Sequence, residues 1–269
     1  MTSARMSTLA TLRRHVERIE ARIDPLDSAS AQNRVALGHG ECDAALKGGL
    51  AVGAVHEVFA DAGRQSAAAT GFVAGLAARV VARRPLVWVR QDFSERETGA
   101  LSMSGLCELG LDPRCLVSVR APDADSALRT AADALACDAL GAVVLETWGD
   151  VRRLDLVASR KLTLAAQASG VTALLVRLAA TPQPSTAETR WIVRAAPSPP
   201  AAHWQAWGAP VFDANLVRNR HGLTGRWIME WKCDERLFNE PKADPQPVAA
   251  KTSHRPHQAK TREQRRRAG

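Results

Sequence analysis

A chain of 269 residues that is 46% hydrophobic can bury a sizeable core, whereas a net charge of +8, unevenly spread, does not mark the whole surface as a nucleic-acid face. No run approaches the ~18 apolar residues of a membrane-spanning helix, and residues 3–23 interleave charges with their apolar positions, unlike a secretory leader, so a soluble cytoplasmic protein with no membrane partner is expected. Cys42, Cys107, Cys115, Cys137 and Cys233 form no C-x-x-C pair and have no histidine at zinc-ligand spacing, which predicts reduced, mostly buried thiols and no metal site.

Leu9, Leu12, Val16, Ile19 and Ile23 alternate steps of three and four, the mark of one helical stripe, which Ser7 with Thr8 would start and Pro25 would stop. Residues 1–25 therefore read as an N-terminal helical arm, packed on its own domain or docked on a neighbouring molecule. Val55–Phe59 alternates as a strand, and the small-residue turn Ala60–Ser66 opens an Ala-rich helix over 67–82 that Pro85 ends. Leu86–Val89 is an apolar run of buried-strand length, followed by a helix over 95–109, a strand over 115–119 and a helix over 123–136. Ala142–Leu145 is the clearest buried strand and ends in Glu146; Leu154–Ala168 reads as a helix and Val171–Leu178 as a strand. Strands alternating with helices in this way predict βαβ units and a mainly parallel sheet. After the Pro-rich loop 181–185, strands are expected at 190–194, 211–217 and 225–232, the last two antiparallel because only a short turn around Arg218–Gly222 joins them.

From Asn239 onward the composition changes. Residues 239–269 hold eight Lys/Arg against three Asp/Glu, a surplus of five that leaves only three for the body. Val248 is the only large aliphatic residue there, too little apolar surface to offset ordering entropy, so a disordered basic tail is expected. Its Arg265, Arg266 and Arg267 suit non-specific contact with DNA phosphates or docking on a partner, though no aromatic residue is interleaved to stack on bases.

Between Leu37 and Thr70 the chain reads D-x-A-L-x-G-G-L, then G-x-x-H-E-V-F, then a loop that opens a helix. Asp43, Leu46, Gly48, Gly49, Leu50, Gly53 and Glu57 carry that pattern, which resembles the entry to the RecA fold. In RecA-like ATPases the strand is followed by G-x-x-x-x-G-K-[ST], whose backbone N–H groups and lysine hold the phosphates. The equivalent stretch is Ala60–Ala67, in which Ala60 and Gln65 stand for the glycines, Ser66 for the lysine and Ala67 for the metal-binding hydroxyl. Gly63 and Arg64 lie between them, with Arg64 two positions too early to replace the lysine. Glu146 stands where the family has an Mg²⁺-associated Asp, and Asp92 stands near its catalytic Glu. The loss of the phosphate cradle predicts no bound cofactor and no ATP hydrolysis.

With V-W-V near position 88 and V-x-N-R-x-G-x-x-G-x-W over 217–227, the chain looks most like the ImuA family, RecA-related proteins sometimes labelled SulA-like. The likeness spans residues 37–238, leaving the arm before it and the tail, 239–269, after it. It implies a RecA-like α/β core with a degenerate phosphate loop. It also implies a non-enzymatic accessory protein of DNA-damage-induced (SOS) translesion synthesis, with a Y-family-like protein and an error-prone polymerase as partners. RecA or another copy through the arm, and single-stranded DNA through the tail, are further partners to test. A divergent DNA-dependent ATPase using Arg64 and Asp92, and a SulA-like cell-division inhibitor, are the rival expectations. Trp148, Arg152 and Arg153 follow Glu146 at a strand's C-terminal end, where open α/β sheets place their sites, and are candidate contacts for partner or DNA. Ser102, Ser104 and Cys107 lack an identifiable His partner, and no G-x-S-x-G occurs, so nucleophilic catalysis is not expected.

Overall fold

Short runs of Val, Leu and Ala buried on both faces become central strands only where helices cover both sides, and that condition organises the computed structural model, which describes residues 33–61, 63–198 and 208–241. The chain opens with β1 (Arg34–Val35), α1 (Gly40–Ala45), β2 (Leu50–Ala51), β3 (Val55–Ala60) and α2 (Ser66–Val80). It continues through β4 (Leu86–Gln91), α3 (Asp92–Thr98), α4 (Met103–Glu108), β5 (Leu116–Ala121), α5 (Ala124–Leu135), β6 (Ala142–Trp148) and α6 (Leu156–Ser169). It closes with β7 (Thr172–Leu178), β8 (Thr189–Ala195), β9 (Val211–Asn219), β10 (Gly225–Lys232) and β11 (Leu237–Asn239).

Nine strands form one sheet in the order β11-β10-β9-β8-β3-β7-β6-β4-β5. The six from β8 to β5 run parallel, and β9, β10 and β11 add antiparallel strands at one end. This is a mixed α/β architecture with a large, mostly parallel sheet, as the alternation of elements predicts. One face packs on the nearly all-buried helix α2, with Phe72, Val73 and Leu76 against Trp88, Trp191 and Trp231. Gly75 lets α2 approach closely, since a Cβ there would lie 2.6 Å from the Phe238 ring. The other face packs on α5 and α6 through Ala127, Ala131, Leu135, Leu162 and Ala166, both helices being capped by aspartates, Asp123 to Ser126 N at 2.7 Å and Asp155 to Ala158 N at 2.8 Å.

Several expectations need correction. The helix expected over 95–109 is two helices, because the chain turns at Gly99, φ +83°, and Ser102 caps a new start. The strand expected over 115–119 lies at Leu116–Ala121, and the strand begun at Ala142 runs on to Trp148, so Glu146 is inside it rather than at its end. The cysteines are not mostly buried: Cys42 is, Cys115 and Cys233 are half-buried, and Cys107 and Cys137 are exposed. Strand β1 lies before residue 37, and β11 runs one residue past 238, to Asn239. The arm over 1–25 lies outside the described residues, as does the tail beyond Pro241 with Arg265, Arg266 and Arg267. Among the described residues no helix is long and apolar enough to cross a membrane.

Candidate functional site

The C-terminal ends of the parallel strands bring together the turn after β3, the start of α3 and the end of β6, the edge at which sheets of this kind place their ligands. The turn between β3 and α2 is held from β8. Asp61 pairs with Arg194 at 2.8 Å and its N–H donates to Val193 O, while Gln65 Oε1 accepts from Ala195 N at 2.9 Å. Gly63–Gln65 makes a single 3-10 turn, and Gln65 gives α2 no side-chain cap. Ala60 is buried at the strand end, Ser66 is half-buried, and Ala67 and Arg64 are exposed. Arg64 makes no hydrogen bond or ion pair among the described residues, so the turn offers backbone N–H groups and no cation held over them.

Glu146 is fully buried on the α2 face. Arg90 donates to its Oε1 from Nε at 3.1 Å and from Nη2 at 2.8 Å, and Trp88 Nε1 donates to its Oε2 at 3.2 Å. Arg90 is itself held by Thr98 Oγ1 and Gly99 O. Both carboxylate oxygens are thus committed to the protein, and a metal ion would have to displace a buried guanidinium. Asp92, the first residue of α3, accepts from Arg120 Nε at 3.1 Å on the surface. Among the described residues no group of three His, Cys, Asp or Glu is placed to hold a metal.

Trp148 is half-buried between the turn and α3. A Cβ on Gly63 would lie 3.4 Å from its ring, and Phe93, 45% exposed, meets it edge-on at 6.4 Å between centroids. Arg152 and Arg153 do not join it. They line a groove of about 500 Å³ between α5 and α6, on the other face of the sheet, where Arg153 pairs with Asp125 at 2.7 Å. The trio grouped by sequence is therefore split between two faces. A second cavity, of about 450 Å³ between Arg84, Leu111 and Arg236, sits at the opposite ends of β4 and β5, remote from these residues.

Sequence reasoning missed Phe93 and Arg90. Arg90 had a signal, since Arg90 and Glu146 are each the fifth residue of an apolar run and sit opposite one another in the β4–β6 register. It also missed Arg177, which is 2% exposed, lies 5.5 Å from the centre of the Phe59 ring, and leaves Nε without a partner beside the equally unpartnered Thr147 Oγ1. Burial pulls the Arg177 guanidinium down, against the raising influence of Glu57 and Asp150. Glu57, in contrast, is paired through Oε2 with Arg190 at 2.7 Å and with Ser185 Oγ at 2.9 Å.

The residues that carry the sequence pattern prove to be structural. Asp43 accepts from Leu37 N at 2.7 Å and Gly38 N at 2.9 Å, and Gly49, φ +126°, passes so close to Val35 that a Cβ would overlap it. His56 is buried between Thr189 Oγ1 at 2.7 Å and Ala51 O at 2.8 Å. Asn219 donates to Ala45 O at 2.9 Å, tying the β9–β10 hairpin to α1, where Gly222 leaves room for the same carbonyl. No protein-family profile matches the chain. Two curated proteins do resemble it, each called Protein ImuA, from Caulobacter vibrioides strains NA1000 / CB15N and ATCC 19089 / CIP 103742 / CB 15. Each is 31% identical over 198 residues, covering 68% of this chain and 77% of the relative.

Proposed function

Since this chain belongs to the ImuA family, we propose that it is a non-enzymatic accessory protein of DNA-damage-induced, error-prone translesion synthesis. In this reading it presents a RecA-like surface to a Y-family-like protein and an error-prone polymerase. The strand order, with the β3–α2 turn between two parallel neighbours and the antiparallel hairpin at one end, supports the RecA-like part. The observation that carries the non-enzymatic part is the state of the two charged positions such chemistry needs. Phosphoryl transfer depends on positioned cations and a metal-holding carboxylate. Here Arg64 of the turn is exposed and anchored by no described residue, and Glu146 is sealed by Arg90 and Trp88. Asp92, the base of the rival ATPase reading, is paired with Arg120.

Two measurements on the full chain test this. Purified protein should hydrolyse no ATP above background, with or without single-stranded DNA. Affinity capture from DNA-damaged cells should recover a Y-family-like protein with a second polymerase. Hydrolysis stimulated by DNA and lost in Arg64→Ala would instead establish the ATPase, and capture of the cell-division machinery alone would establish the division-inhibitor reading.

A further inference from the structure

The groove of about 500 Å³ between α5 and α6 has aliphatic walls. Leu128 and Ala132 share one line of α5, and Val157 and Leu162 line it from α6. Val157 is 62% exposed, and Leu164, about two turns further along the same line of α6, is 54% exposed, so the apolar wall runs on past the groove. An apolar strip rimmed by charge is the mark of an interaction surface. The rim is basic once its internal pairs are counted. Asp125 is paired with Arg153 at 2.7 Å, and Asp155 is turned to the N-terminus of its own helix, where Ala158 N donates to it at 2.8 Å. Arg152 and Lys161 are exposed and make no ion pair among the described residues, and Arg129 reaches Ser126 Oγ at 3.3 Å. The charge left for a ligand is positive.

We propose that this groove takes an amphipathic helix of a partner protein, one whose apolar stripe lies between acidic flanks. Three features select that occupant. A trough between the 12-residue α5 and the 14-residue α6, about 18 and 21 Å long, fits a third helix of similar length packed as ridges into grooves. The cations stand on both sides of the apolar strip, Arg129 on α5 and Lys161 on α6, with Arg152 in the loop before α6. Carboxylates on the two flanks of a docked helix meet them while its stripe covers Leu128, Val157 and Leu164. The lining also excludes other ligands. No aromatic ring is there to stack on a base, and aliphatic walls give a phosphate backbone nothing to hold. No buried polar group among the lining residues converges on the floor, as it would in a small-molecule site. The proposal gives the accessory-protein reading its contact surface and rests on that reading for the existence of a partner.

Fluorescence anisotropy on the full chain tests the groove with a synthetic helical peptide of about 18 residues, leucines at alternating three- and four-residue steps and glutamates on both flanks. It should bind about tenfold or more tightly than the same peptide with lysines for glutamates. Val157→Ser, at an exposed position, should weaken binding about fivefold. Lys161→Glu should weaken it about tenfold, and a peptide with lysines on one flank should recover most of that loss. Equal binding of acidic and basic peptides, indifference to both substitutions, or displacement by a single-stranded oligonucleotide whose own binding Lys161→Glu weakens, each overturn the proposal. In affinity capture from DNA-damaged cells, the Val157→Ser, Lys161→Glu double variant should lose the polymerase-associated protein that the unaltered chain retains. Equal retention overturns the groove and leaves the accessory-protein reading standing. Capture of no such protein by the unaltered chain overturns that reading instead, and the peptide measurements then decide the groove alone.

Discussion

Glu146 and Arg90 face each other across adjacent strands with neither exposed by more than a few per cent. Removing one partner of a buried pair leaves a charge without compensation, whereas replacing both with apolar groups does not. Glu146→Ala is expected to cost roughly 3–5 kcal/mol of unfolding free energy in urea, and Arg90→Met with Glu146→Leu together much less. Equal losses for the single and double variants would show that the pair is not the source of the effect. His56 gives a pH-dependent counterpart. Burial lowers its pKa to about 4, so it stays neutral in the folded state between Thr189 and Ala51. An unfolded histidine near 6.5 takes up a proton that the folded one refuses, so this group's contribution is complete above that value and is lost as pH falls toward 4. Between pH 7 and 5 the loss amounts to about 2 kcal/mol. His56→Gln should flatten the stability profile in that window by a similar amount, and an unchanged slope would refute the assignment.

The central strands were legible because parallel strands covered on both sides must be written as uninterrupted apolar runs. Val55–Ala60, Ala142–Trp148 and Thr172–Leu178 are fully or almost fully buried; the second was located from that signal, whereas the first was read from its alternation, V-H-E-V-F. The same signal misplaced the end of β6, because a charged residue in an apolar run reads as its terminus when its partner comes from a strand more than fifty residues away. The helix break at Gly99 escaped for a different reason. Apolar spacing continues through Leu101, Leu106 and Leu109, and what divides it is a positive φ and a serine cap, both local features that periodicity does not register. Of the candidate site, the turn after β3 was placed to within a residue, because strand-to-helix junctions are set by chain order, whereas α3, expected from 95, starts at Asp92 directly after β4. Which face Trp148 and Arg152 turn to depends on strand parity and loop path, and only the folded chain separates them.

The sheet closes at its antiparallel end with β11, and the limits of the folding unit follow from that closure. Phe238 is fully buried and packs on Phe72 at 5.2 Å and Trp231 at 4.6 Å, while Asn239 pairs with Glu230 of β10. A chain ending at Phe238 keeps the ring but loses the last rung of the ladder that holds it, whereas one ending at Pro241 keeps both. Either cut removes all eight Lys/Arg of residues 239–269, since the one charged residue between the two ends is Glu240. The two truncations therefore separate stability from charge. The 1–241 form should melt within about 2 °C of the full chain, and the 1–238 form several degrees lower, a change of about 1 kcal/mol being worth ~2–4 °C in a body of this size. Non-specific binding to single-stranded DNA, steeply salt-dependent if carried by the tail, should be lost equally in both. Binding retained by 1–241 would move the DNA contact onto the body, where the basic groove between α5 and α6 is the surface to mutate next.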